Sequence, residues 1–199
     1  MNFYDRNLDK DLLNPQRPNH EKLKKVIVFL AACHTIIIDK KKGTFTSSSP
    51  DELALVNAAK QFGFEFKGRD QADNSILIQD HNSGKLLRYQ LLHVCEFTST
   101  RKRMSCIYRD PDGRLVLMCK GADNVITDRL SVKSRGGPVF QNTQRCCDRY
   151  AQEGLRTLFL AEKYLDERAY AKWNEEQFQA SLEVQNREEK VAAVDEKIE

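Results

Sequence analysis

The chain has 199 residues, of which 40% are hydrophobic and 31% charged, and it carries a net charge of +3. That size suits one domain with a proper core, and the composition is that of a soluble globular protein rather than a disordered one. So small a positive balance does not by itself imply nucleic acid, and the longest apolar run, residues 26–38, is interrupted by Cys33-His34-Thr35 and falls short of a bilayer span.

Residues 1–19, with Pro15 and Pro18 and little periodicity, read as a lead-in linker that is helical in part over 9–13. The opening MNFYDRNLDKD is charged and polar, unlike a secretory signal, so any membrane role is expected in segments outside this chain. From His20, Leu23, Val26, Ile27 and Leu30 recur at helical spacing, and AACHTIIID reads as the buried end of that helix. His34 beside Cys33 invites a metal reading, against which a core histidine satisfied by backbone is the expectation. Residues 40–48 form a polar loop. Ser49-Pro50-Asp51-Glu52 then opens a helix: Ser49 is the N-cap, Pro50 takes the first helical position, and Glu52 completes a capping box. Leu55, Val56, Ala59 and Phe62 form its apolar face, and Gly63 ends it.

Phe64 and Phe66 mark a strand, residues 75–79 another, and His81-Asn82-Ser83-Gly84 a turn. Residues 86–97 read as a long strand with Leu87, Tyr89, Leu91, His93 and Cys95 on one face. A hairpin follows, alternating over 104–109, turning at Pro111-Asp112-Gly113 and returning over 115–119. Strands joined in succession by short turns predict an α+β fold, an antiparallel meander flanked by helices, with residues 1–199 as a single domain. Asp123 caps a short helix through Leu130, and residues 131–139 form a loop. Residues 140–153 make a helix closed by Gly154. Residues 155–164 are apolar enough for a central strand, with Arg156-Thr157 at its start. Asp166-Glu167 caps a helix carrying Trp173 and Phe178, and the charged tail is helical. The six cysteines show no CxxC pair and no metal-ligand spacing; they read as reduced thiols, with no structural zinc.

The hairpin brings residues 97–103 close to Lys120-Gly121-Ala122. One aromatic ring, several cations and a small-residue break then converge, which suits a flat anionic ligand: the ring stacks, the cations meet phosphate, and glycine allows close approach. A hairpin with a solvated basic rim fits the same residues. Phe97 also reads as a core ring, Lys102 as a surface charge and Arg156 as a salt-bridge partner.

The motifs FTSTRKRMS and CKGAD, with SPDELALV before them and EGLRTL after, resemble the nucleotide-binding domain of phospholipid-transporting P-type ATPases, the type IV lipid flippases. NFYDR, LAACHTII and REEKVAAVDEKIE extend the resemblance to both ends. It implies that Phe97 stacks on adenine, that Lys120 lies at the pocket floor and that Glu52 frames the base. It also implies nucleotide contacts at Ser99, Lys102, Arg156 and Thr157. Of these, Lys102 and Arg156 suit phosphate. Thr98 stands where the family usually has Asn, which would alter a hydrogen bond near the base. The implied ligand is ATP, and the implied partners are the phosphorylation and actuator domains of a longer membrane ATPase. The domain itself would be cytosolic, without direct membrane contact.

No Walker A pattern, DKTGT segment or DGxND-like segment occurs in the sequence. With neither nucleophile nor magnesium site, the chain is expected to bind nucleotide without hydrolysing it, magnesium being held mainly by the phosphorylation domain. Two competing readings remain: a single-strand nucleic-acid module using Phe97 and Arg101–Arg103, and a protein-interaction domain using the Trp173 helix.

Overall fold

A computed structural model describes residues 5–39, 44–47 and 49–199. The first residues of NFYDR and much of the 40–48 loop therefore lie outside the described residues. In chain order the elements are α1 (Arg6–Leu13), α2 (His20–Ala32), β1 (Ile37–Asp39), β2 (Thr44–Thr46), α3 (Pro50–Gln61), β3 (Phe64–Arg69), β4 (Ser75–Asp80) and β5 (Leu86–Cys95). They continue as β6 (Arg103–Arg109), β7 (Leu115–Gly121), α4 (Asp123–Arg129), α5 (Val132–Arg135), α6 (Pro138–Gln152), β8 (Phe159–Tyr164), α7 (Glu167–Leu182) and α8 (Arg187–Ile198). Strands β3 to β8 form one six-stranded antiparallel sheet in which spatial order follows chain order, the expected meander; β1 and β2 make a separate antiparallel pair.

The chain divides into two compact units, residues 1–92 with 108–113, and residues 93–107 with 114–199. In the first, α2 buries Ile27, Val28, Phe29, Ala31 and Ala32, while Phe64, Phe66, Ile76 and Ile78 turn inward from β3 and β4. Both strands alternate buried with less buried positions, as a half-covered sheet requires. His34 is the core histidine the sequence suggests. Its Nδ1 accepts the N–H of Ile36 at 3.1 Å, which leaves Nε2 to donate to the Ala31 carbonyl at 2.9 Å, so the ring is neutral. The Tyr108 hydroxyl donates to the Ala32 carbonyl at 2.6 Å, closing the end of α2.

Ser49 caps α3 as predicted, its hydroxyl accepting the Glu52 N–H at 3.4 Å with Pro50 in the first turn. The reciprocal half of the capping box is not made. The Ser49 N–H donates to the Ser47 hydroxyl, and the Glu52 carboxylate turns instead to Thr35. A buried carboxylate gains more from two donors on a neighbouring segment than from one cap N–H that Ser47 already uses.

In the second unit β7 is buried along its whole length, as is β6 from Arg103 to Ile107. Several boundaries differ from the sequence reading: AACHTIIID, read as a helix end, leaves α2 at Ala32 and finishes in β1, and Asp123 lies in the first turn of α4 instead of capping it. The expected central strand over 155–164 begins only at Phe159 and lies last in the sheet; Leu155 and Leu158, which made the run look buried, are exposed. The expected loop over 131–139 holds α5, capped by the Ser131 hydroxyl, and the start of α6, where Pro138 occupies a first-turn position that needs no N–H. The long strand expected through residue 97 stops at Cys95, leaving Phe97 off the ladder. The charged tail is helical as expected, and α8 packs against α7.

Candidate functional site

The loop after β5 is built by one threonine. The Thr98 hydroxyl accepts the Arg101 N–H at 3.1 Å and its carbonyl accepts the Lys102 N–H at 2.8 Å, so residues 98–102 close into a tight turn. Lys102 completes that turn in the left-handed region, at φ +51°. Its carbonyl then accepts the Ala122 N–H at 3.1 Å, fastening the turn to the end of β7. A Cβ on Gly121 would stand 2.5 Å from that carbonyl oxygen and 2.6 Å from Arg103 Cβ. The close approach that Gly121 permits is therefore to the chain's own backbone, rather than to a ligand as the sequence reading had it.

The basic cluster divides by alternation. Arg101 and Arg103 point inward, 6% and 2% exposed, while Lys102 between them is exposed. Arg101 donates to the Glu96 carbonyl at 2.6 Å and to Glu199 Oε1 at 2.5 Å. Arg103 donates through Nε to Glu199 Oε2 at 2.6 Å, and the Ser105 hydroxyl donates to the same carboxylate. Burial works to raise the Glu199 pKa, but the Ser105 and Arg101 hydrogen bonds and the two guanidinium charges hold it below the usual carboxylate range. Two of the three cations offered by the sequence are thus consumed internally, which removes the basic stripe that a nucleic-acid module needs. Nothing in the sequence pattern marked Glu199, which lies on a charged tail far along the chain from its partners.

Phe97 is 62% exposed, which excludes a core role, and Ser99 and Lys102 are exposed beside it in the chain. Lys120 is buried near the end of β7, opposite Leu160, while Gly121 faces Phe159 in the β7–β8 register. The segment entering β8 at Phe159 carries exposed Arg156 and half-buried Thr157. These six residues belong to one unit. Glu52 belongs to the other, is 7% exposed, and accepts from the Thr35 N–H at 3.2 Å and the Thr35 hydroxyl at 3.0 Å. A separate open groove of about 460 Å³ runs along Leu130, Phe140, Leu158 and Leu160; none of the residues singled out in the sequence lines it. Trp173 is 4% exposed and donates Nε1 to the Val194 carbonyl at 2.8 Å, so it holds α7 to α8 and is not the docking ring of the interaction reading.

The family model described as "P-type ATPase, cytoplasmic domain N" matches residues 22–194. The chain belongs to that family. As an N domain it is 40% identical to the human phospholipid-transporting ATPase IC over 199 residues, 99% of this chain and 15% of that protein. It is 39% identical over 187 residues to the phospholipid-transporting ATPase DRS2 of Saccharomyces cerevisiae, 92% of this chain and 14% of the relative. With the phospholipid-transporting ATPase DNF1 of Chaetomium thermophilum it shares 38% over 205 residues, covering 13% of that protein. This N domain thus spans about 15% or less of the length of these curated relatives. Among its described residues no helix is long and apolar enough to cross a membrane.

Proposed function

We propose that this N domain binds ATP and presents it to the phosphorylation domain of a phospholipid-transporting P-type ATPase. Adenine stacks on Phe97, Lys120 flanks it at the pocket floor, and Ser99, Lys102, Arg156 and Thr157 meet the ribose and phosphates. The observation that carries this reading is an aromatic residue left 62% exposed beside a turn closed by its own hydrogen bonds. An exposed ring on a fixed loop is a poor investment for folding and a good platform for a base. Lys102 and Arg156 supply exposed charge for phosphate, whereas Arg101 and Arg103 serve the loop from beneath. Glu52, in the other unit, holds the start of α3 through the Thr35 N–H and hydroxyl.

The chemistry expected here is binding without hydrolysis. Magnesium and the phosphorylated aspartate are assigned to the phosphorylation domain, as is the coupling to lipid movement. Calorimetric titration with ATP, ADP and GTP, with and without magnesium, tests the reading. Saturable ATP binding that weakens about 5- to 150-fold in Phe97→Ala supports it, from the ~1–3 kcal/mol of base–aromatic stacking. Equal affinity in the parent and Phe97→Ala overturns the stacking role.

A further inference from the structure

Three polar side chains with no part in the nucleotide reading meet between β5 and the terminal helix. Cys95 is wholly buried at the end of β5, His93 lies two residues before it, and Asp195 comes in from α8, its side chain 5% exposed. One ligand-type atom from each lies within 4.8 Å of the others. His93 Nε2 stands 3.6 Å from Asp195 Oδ1, beyond hydrogen-bond reach, and neither atom has a hydrogen-bond partner. Leaving two buried polar atoms unmatched is costly, and a shared cation between them removes the cost.

We propose that His93, Cys95 and Asp195 bind a divalent cation of the zinc class and so fasten β5 to α8. The donor set is one thiolate, one imidazole and one carboxylate, which selects zinc or cobalt(II) over calcium and magnesium. Bonds of about 2.0–2.3 Å around a tetrahedral ion put neighbouring ligand atoms roughly 3.3–3.8 Å apart. The His93–Asp195 separation already has this value, and the widest pair closes with a small movement of the thiol. On binding, Cys95 gives its proton to solvent, and its thiolate and the Asp195 carboxylate then neutralise the ion's two charges where burial demands it. The outer support is also present. Trp173 meets the His93 ring edge-on at 5.0 Å and holds the Val194 carbonyl, next to Asp195, at 2.8 Å. The ion would steady the helix whose last turn leads to Glu199.

The test uses the 199-residue chain in a Cys146→Ser background, which removes the exposed thiol, after treatment with a chelator. One equivalent of cobalt(II) should give a thiolate-to-cobalt charge-transfer band, and zinc should displace it and raise the unfolding midpoint by more than about 4 °C. Cys95→Ser and Asp195→Asn, checked as folded by circular dichroism, should lose both signals. Should replacing the buried thiol unfold the chain, His93→Asn reads the same loss from the more exposed side of the cluster. A folded parent that shows no band and no shift holds no ion between His93 and Asp195, which overturns the proposal. So does undiminished binding in Asp195→Asn. No arm involves nucleotide, so the outcome is independent of the ATP reading.

Discussion

Arg103 and Glu199 form a buried ion pair at 2.5 Å in which neither side chain is more than 2% exposed. The same carboxylate takes Arg101 and Ser105, so the last residue of the sequence holds the base of the turn that displays Phe97 and Lys102. Removing it leaves buried Arg101 without a carboxylate partner and Arg103 with only the half-exposed Glu196, at 3.3 Å. Glu199→Ala should lower stability by about 3–5 kcal/mol, the usual consequence of leaving buried charge without its partner. Glu199→Gln, which keeps shape and some hydrogen bonding, should cost less. Denaturant unfolding of the two variants measures the difference.

Gly121→Ala places a methyl group against the Lys102 carbonyl at 2.5 Å and against Arg103 Cβ at 2.6 Å, both fixed parts of the chain. The backbone cannot yield there without breaking the Ala122-to-Lys102 hydrogen bond. A loss of roughly 1–3 kcal/mol in stability is expected from such overpacking. ATP affinity should fall as well, because the displaced turn is the one carrying Lys102. Unfolding and calorimetry on the same sample report the two effects.

Phe97→Ala should behave in the opposite way. With 62% of the residue in solvent and no ladder hydrogen bond at stake, its stability should stay within about 0.5 kcal/mol of the parent while ATP binding weakens. A large drop in unfolding midpoint would show the ring to be structural.

Glu65 on β3 answers to pH. Hydrogen bonds from Lys60 and His81, against a smaller burial effect, hold its pKa at about 2, below the ordinary 4.5. A depressed carboxylate contributes stability that is full above its unfolded value and is lost as pH falls through the folded one. Lys60 and Lys67 are half exposed, so solvent screening reduces the contribution to about 1 kcal/mol. Glu65→Gln should therefore be less stable than the parent by that amount near neutral pH, and the gap should close as pH falls from about 4.5 toward about 2. Thermal unfolding across that range checks it.

Local signals carried over where local physics decides the outcome. The Ser49-Pro50 helix start, the Gly63 stop at φ +90°, the turn before β5 and the meander itself follow from caps, turn residues and period-two patterning. The reading failed where an apolar run had no such punctuation: residues 155–158 look like strand interior, yet they precede an edge strand. For the site, the sequence named Phe97, Lys102 and Lys120 together because a hairpin must bring its ends together. It could not tell that Arg101 and Arg103 turn inward, since three consecutive basic residues look alike until something buries two of them.

Order along the chain by itself determined the strand succession of the meander, the Ser49 and Asp166 caps, and the family to which the chain belongs. Only the tertiary structure decided which cations face solvent, why position 121 excludes a side chain, and that His93 and Cys95 meet Asp195. The reason is physical. Caps and turns are settled by interactions within a few residues, whereas Glu199 with Arg103, and Asp195 with Cys95, are contacts across nearly half the sequence that form only when α8 docks.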